Sequence, residues 1–247
     1  MASEANKSCL VQKLSHYAEL DEEAIGHLER LEREERSYDE QQDIYLGGDR
    51  RDDLHVVKKG WLYSYTDLPD GRRQIVRLHH PGDIVGFEGI AFHHATTSVR
   101  AAEPVVLCPF PKSGLDVVFE SSPKLTALLF TLAVREQVIF VDLIRAMGRM
   151  SARERLAYLF LNLLAKLRIT NTDMTDTCRL PLTQTEIGDV LGLSNVYVSK
   201  TISRLENDGF ISRKDGNVTV LREDDLANFC DFYDRYSDMD VSWFPQS

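Results

Sequence analysis

Two hydrophobic periods alternate along this chain, and the points where one replaces the other divide it into parts. Over the first forty residues the period is helical: Leu10, Val11, Leu14 and Tyr17 recur at helical spacing, as do Ile25, Leu28 and Leu31 between charged neighbours. The charge run Glu32 to Arg36 reads as a solvated helix end. From Asp43 the texture changes to short β-rich runs, His55 to Val57, Trp61 to Thr66, Gln74 to Leu78 and Val105 to Phe110. Glycines 48, 60, 71 and 82 fall 12, 11 and 11 residues apart between these runs. Turn signals at that spacing predict a compact antiparallel roll or sandwich. Pro69-Asp70-Gly71 is a turn with a mechanism, since proline fixes φ and glycine permits positive φ. Pro81-Gly82-Asp83 is a second.

Pro123 opens a long helical stretch, because proline is tolerated in a first turn. Leu125, Leu129, Leu132, Ile139, Leu143, Ala146 and Met150 fall on alternating spacings of three and four, with Glu136 filling the gap. That is a short coiled-coil seam with one polar interruption. A second face carries Phe130, Val134, Val138 and Val141, so both sides of the helix call for burial. One side can pack on the β-roll and the other on a second copy of the chain. The seam Leu125, Leu129, Leu132, Glu136, Ile139 and Leu143 is the expected dimer interface. A second amphipathic helix follows from Ala152 to Leu167, and Thr170 to Thr177 reads as a polar loop.

The most informative stretch runs from Leu180 to Leu221. Thr183 followed by Glu186 is a capping box that starts a helix. Ile187, Val190 and Leu191 give that helix its buried face, and Gly192 breaks it. Ser194 suits the N-cap of a second helix ending near Asn207, with Val198, Ile202 and Leu205 pointing inward. Two short helices joined by a glycine-containing turn form a helix-turn-helix. Phe210 to Arg213, the turn Asp215-Gly216-Asn217 and Val218 to Leu221 then form the hairpin of a winged helix. The outer face of the second helix holds Asn195, Val196, Ser199, Lys200, Ser203 and Arg204, groups able to reach base edges and phosphates.

The charge balance changes meaning once divided this way. Taken whole, 247 residues with a net charge of −10 argue against nucleic acid. Residues 150–222, however, carry 10 basic against 8 acidic side chains, while 1–149 carry 18 against 24 and 223–247 one against seven. The only positive segment is the one with the helix-turn-helix. The length allows one large domain or two modest ones, and 43% hydrophobic with 28% charged residues is an ordinary globular composition. The longest uncharged, mostly apolar run, Leu125 to Val134, is too short to span a bilayer, so no membrane partner is expected. The N-terminus lacks the apolar core of a secretory signal, which makes the cytoplasm the expected address. Cysteines 9, 108, 178 and 230 lie far apart without a C-x-x-C pair, which excludes a disulfide framework or a local zinc knuckle.

In this order, roll, long helix and winged helix, the chain resembles the Crp/Fnr family of bacterial transcription regulators over nearly its whole length. In the roll the resemblance rests on residues 55–61 (HVVKKGW), 69–75 (PDGRRQI) and 81–84 (PGDI). In the reader it rests on residues 180–187 (LPLTQTEI), 191–194 (LGLS) and 196–202 (VYVSKTI). It implies a cyclic-nucleotide-binding-like jelly roll, a homodimer, palindromic promoter DNA and contact with RNA polymerase. The best-known members read C and G with a glutamate and an arginine four residues apart; the matching positions are Val196 and Lys200. Valine cannot accept from cytosine but can touch a thymine methyl, and lysine still donates to guanine. A half-site that differs at the base read by the glutamate is therefore expected.

The sensor departs from the family as well. Cyclic-AMP-binding members hold the ligand phosphate with a Gly-Glu start and an Arg-Ser or Arg-Thr end to one loop. The matching loop places Gly86, Glu88, Thr96 and Thr97 at the effector pocket, with the glutamate one place late and no arginine before the threonines. A cyclic phosphate diester buried without a cation would be heavily penalised, and Arg100 comes three residues late. Iron–sulfur members use four cysteines, three near the N-terminus, where this chain has only Cys9. Cys108 is expected to act as a small buried hydrophobe. All seven histidines lie in the first 94 residues, read as surface-loop groups, and a metal-dependent enzyme on a cupin-like roll lacks its histidine spacing. The expected chain is thus an α+β regulator, not an enzyme and without a cofactor, whose small-molecule effector stays unassigned. Its parts are a sensor roll with N-terminal helices (1–122), a dimerisation helix (123–149), a winged helix-turn-helix (150–222) and an acidic tail (223–247). The DNA-facing residues are Thr183, Ser194, Asn195, Val196, Ser199, Lys200 and Arg204, with Arg213 and Lys214 on the wing. The competing reading is a small-molecule-binding dimer whose winged helix contacts protein. In the tail, Leu226, Phe229, Phe232, Tyr233 and Tyr236 fit one helix, docked on the winged domain or competing for its basic face.

Overall fold

Residues 8–171, 173–237 and 239–245 are described by the computed structural model. The chain forms two compact units, residues 1–132 together with 240–247, and residues 133–239. The first opens with α1 (Cys9–Ser15) and α2 (Glu22–Leu31), capped by Ser8 and Asp21. In the Glu32 to Arg36 run, Arg33 to Arg36 are exposed beyond the end of α2 as read, and Glu32 is the exception. Glu32 is buried and its Oε1 accepts from Ser8 Oγ (2.7 Å) and Leu10 N (2.9 Å), tying α2 back to α1, while Arg36 starts a strand.

Eight strands follow: β1 (Arg36–Tyr38), β2 (Asp43–Tyr45), β3 (Asp53–Lys59), β4 (Leu62–Asp67), β5 (Arg73–His79), β6 (Ile84–Val85), β7 (Ser98–Ala101) and β8 (Val105–Pro111). They form two antiparallel sheets, ordered β1-β8-β3-β6 and β2-β7-β4-β5. The inner faces meet in a core of Tyr45, Val57, Leu62, Val85, Ala95, Val99, Ala101, Val105 and Leu107. Alternation along each strand supplies that core: in β7, Val99 and Ala101 face in while Arg100 faces out. Four of the seven histidines are not surface groups: His27, His55, His79 and His80 are buried. His27 lies in α2, His55 in β3 and His79 at the end of β5, with its Nε2 2.7 Å from Ser64 Oγ, and His80 follows β5 with its Nδ1 2.9 Å from Pro81 O. Cys108 is fully buried in β8, and burial pushes its thiol up to about 11.

After α3 (Asp116–Ser121) comes α4 (Pro123–Arg149), whose later part opens the second unit. The seam read from the sequence divides differently in space. Leu125, Leu129 and Ile139 are already buried within one chain, and Leu132, Glu136 and Leu143 are half-buried. The apolar residues left in water are Phe130 (64% exposed), Val134, Val138, Phe140, Val141 (65%) and Ile144 (72%). The exposed apolar residues thus lie largely on the second face read from the sequence.

Ser151 and Glu154 form a capping box that starts α5 (Ala152–Arg168), and then β9 (Thr177–Arg179) takes the end of the stretch read as loop. α6 (Gln184–Leu191), α7 (Asn195–Asn207), β10 (Ile211–Lys214) and β11 (Asn217–Val220) complete a reader with a three-stranded wing sheet, β10-β11-β9. α8 (Glu223–Phe229) is shorter than the tail pattern predicts, because Asp231 takes a left-handed φ of 47° and ends it. Leu226 and Cys230 are buried, and Phe232 packs edge-on against Tyr158 of α5. The tail continues not onto α7 but along α4. Asp231 pairs with Arg145, Arg235 Nε donates to Asp142 Oδ2 (2.9 Å), and Arg135 lies 4.9 Å from the Tyr236 ring centroid.

Candidate nucleic-acid interface

The helix-turn-helix is set by three local devices. Thr183 Oγ1 accepts from Glu186 N (3.2 Å) while Glu186 Oε2 accepts from Thr183 N (2.8 Å), so the orphan amides at the start of α6 are satisfied reciprocally. Gly192 closes α6 in the left-handed region, φ 65°, where glycine carries no Cβ penalty. Gly188 allows the turn to close: its carbonyl accepts from Leu193 N (3.0 Å), and a Cβ there would run into the Leu193 carbonyl. Only the first two are visible as sequence signals; the third depends on a close approach across the turn.

Ser194 caps α7, its Oγ accepting from Tyr197 N (3.4 Å). Val198, Thr201, Ile202 and Leu205 are buried, which turns the opposite face outward. That face carries Asn195, Val196, Lys200, Ser203 and Arg204, all exposed, with Ser199 at its half-buried edge. Asn195 Nδ2 donates to Thr185 Oγ1 (3.3 Å), which steadies the amide at the helix start. Tyr197, absent from the sequence-based set, is also exposed. Val196 is 66% exposed, an apolar group with no packing role in the reader.

On the wing the two cations differ. Arg213 Nη2 donates to Glu206 Oε2 of α7 (2.9 Å), so its charge is partly balanced and it braces wing to helix. Lys214 is exposed at the hairpin tip, beside Asp215 and Gly216, both with positive φ. A cavity of about 250 Å³ lies beneath the wing, floored by Phe160, Ile187, Ile202 and Val218 and rimmed by Gln184 and Lys214.

In the roll, the predicted effector loop begins at Gly86 (φ 84°), followed by a single 3-10 turn, Phe87–Ile90. Glu88 Oε1 accepts from Tyr45 OH at 3.3 Å, and Thr96 is exposed while Thr97 is half-buried. Arg100 does not reach this loop. It makes a bidentate pair with Asp43 (2.7 and 2.8 Å) on the outer face of the sheet, which holds the Asp43 carboxyl below its usual range.

Residues 35–122 match the cyclic nucleotide-binding domain, and residues 154–229 match the Crp-like helix-turn-helix domain. Regulatory protein HlyX of Actinobacillus pleuropneumoniae is 27% identical over 221 residues, 90% of this chain and 92% of that protein. The fumarate and nitrate reduction regulatory protein of Escherichia coli strain K12 is 27% identical over 221 residues, 90% of this chain and 88% of that one. Among solved structures, FixK2 from Bradyrhizobium japonicum superposes with a TM-score of 0.69 at 26% identity, covering 79% of this chain and 96% of its own. This chain belongs to the Crp/Fnr family. The α+β architecture of roll, long helix and helix-turn-helix is the family's, and its helix-turn-helix is the DNA-binding part of a transcription regulator. No helix among the described residues is long and apolar enough to cross a membrane.

Proposed function

We propose that this Crp/Fnr regulator binds a palindromic promoter site as a homodimer, with α7 in the major groove of each half-site. What carries the reading is the two-sided character of α7. Val198, Ile202 and Leu205 are buried, so the exposed run from Asn195 to Arg204 has a fixed orientation towards a partner. Asn195, Val196, Ser199, Lys200 and Arg204 face the groove in this reading. Thr183 and Ser194 lie at the N-terminal ends of α6 and α7, where backbone amides suit phosphate, and Lys214 with Arg213 lies near phosphate on the wing. Residues 1–122 serve as sensor, 123–149 as the joining helix, 150–222 as reader and 223–247 as tail. RNA polymerase is the expected partner at the promoter, in the cytoplasm, and the chain acts by binding without a cofactor.

The dimer in this reading uses the exposed face of α4 in place of the seam first assigned. Phe130, Val134, Gln137, Val141, Ile144 and Gly148 recur at spacings of four and three, the repeat that a coiled coil buries. Two copies side by side remove the exposed Phe130, Val141 and Ile144 from water. Selection from random DNA tests the base reading. A half-site that differs from the common family half-site at the base opposite Val196 supports it; the common half-site returned unchanged contradicts it. Gel shifts at graded salt separate this function from protein docking by the winged helix, because DNA binding falls steeply as salt rises.

A further inference from the structure

We propose that Glu206 competes with DNA phosphate for Arg213, and is thus a positioning residue that sets how many phosphates the wing neutralises. The inference rests on the wing facing DNA and adds what governs its contact. Alternation along β10 turns Ile211 and Arg213 to one face of the wing sheet and Ser212 and Lys214 to the other. Ile211 is buried, as are Val220 and Val218, which lie opposite Ile211 and Arg213 in β11. Arg213 therefore shares the inward face of the wing and leaves it towards α7, while Lys214 leaves from the other face.

There it meets Glu206. Arg213 Nη2 donates to Glu206 Oε2 at 2.9 Å, and the two side chains are 36% and 29% exposed, so the pair is open to a competing anion. Glu206 is the last residue but one of α7, where an acid stands against the negative end of the helix dipole and gains from a nearby cation. The next acid along the chain, Asp208, is paired with Arg153, and its carbonyl accepts from Arg222 Nη2. Among the described residues, Lys200, Arg204 and Lys214 have no ion pair, so of the four cations assigned to the DNA face only Arg213 is held by a carboxylate. A carboxylate and a phosphate offer a guanidinium the same pair of oxygens, and Arg213 gives up one to take the other. Turning it to phosphate also leaves Glu206 uncompensated beside the negative backbone. With 10 basic against 8 acidic side chains in residues 150–222, one cation is a large share of the reader's pull on DNA.

The test is titration of the full chain onto a duplex carrying two selected half-sites at graded potassium chloride, read as the slope of log affinity against log salt. Glu206→Gln, close to the native shape, is expected to tighten binding a few-fold and to steepen the slope by about 0.9 per chain, one phosphate more. Glu206→Ala carries the same expectation and leaves no amide to hold Arg213. In an Arg213→Met background Glu206→Gln should no longer steepen the slope, whereas in a Lys214→Met background it still should. A merely structural brace would shift the unfolding midpoint and leave the slope alone. The proposal is overturned if Glu206→Gln and Glu206→Ala, both folded, leave the slope unchanged. It is also overturned if they steepen it equally in the Arg213→Met background, which assigns the effect to net charge. Lys214→Met keeps the proposal apart from its parent reading. A slope shallower by about 0.9 per chain supports the wing on phosphate, so that an unmoved Glu206→Gln removes this proposal alone. An unchanged slope in Lys214→Met removes the wing from DNA, and the proposal with it.

Discussion

Gly60 shows how much one residue can commit the roll to its shape. The backbone there has φ 83°, and a Cβ would lie 2.5 Å from the Pro104 carbonyl oxygen and 2.8 Å from Val105 Cγ1. Gly60→Ala should therefore lose about 1–3 kcal/mol in urea unfolding, since left-handed strain and overlap with backbone act together. The glycine spacing marked a turn at this position. It could not show the approach of Pro104, which comes from more than forty residues away. His55 was harder to read, because alternation makes it a strand residue but does not say that Arg51 and Arg36 lie beside it. Between about pH 4 and 6.5 the folded chain binds fewer protons at His55 than the unfolded chain. Stability should fall as pH drops through that window, by roughly 3 kcal/mol at most, and be indifferent to this group above it. His55→Phe, followed by denaturant titration across pH 4–7, should flatten that part of the slope; an unchanged slope assigns the dependence to other groups.

At the scale of elements, the reader was legible almost residue by residue, and the long helix was legible in its extent, Pro123–Arg149, but not in which of its faces is covered. Capping boxes, a C-cap glycine and a hairpin turn are local signals, so α6, α7 and the wing could be placed from sequence alone. α4 presents two apolar faces, and choosing between them needs the rest of the fold. The tail lies along the Arg135, Asp142 and Arg145 side of the helix, and its residues come from some ninety positions later. The same distance hid the end of α8, where the spacing of aromatic residues promised one helix and Asp231 breaks it. The contact between Arg235 and the buried Asp142 gives the tail a measurable role. Arg235→Ala should cost about 1–3 kcal/mol by leaving that carboxylate short of a partner. The exchange Asp142→Arg with Arg235→Asp should restore most of the loss. Failure of the exchange to recover stability would mean that the tail is held by its aromatic residues alone.

For the whole molecule, the net charge of −10 is distributed so that one slightly positive reader lies between acidic segments. Ten basic against eight acidic side chains cannot hold DNA by bulk charge, and Arg213 is already engaged with Glu206. In the proposed function affinity depends on two readers acting together, with the exposed stripe of α4 buried against a second copy. Sedimentation velocity of the full chain with a duplex carrying two selected half-sites, at graded salt, tests this most directly. Two chains per duplex are predicted, with affinity falling linearly in log–log form as salt rises, and Ile144→Glu should abolish the two-chain complex while leaving the chain folded. One chain per duplex, or a complex indifferent to both salt and sequence, would contradict the account.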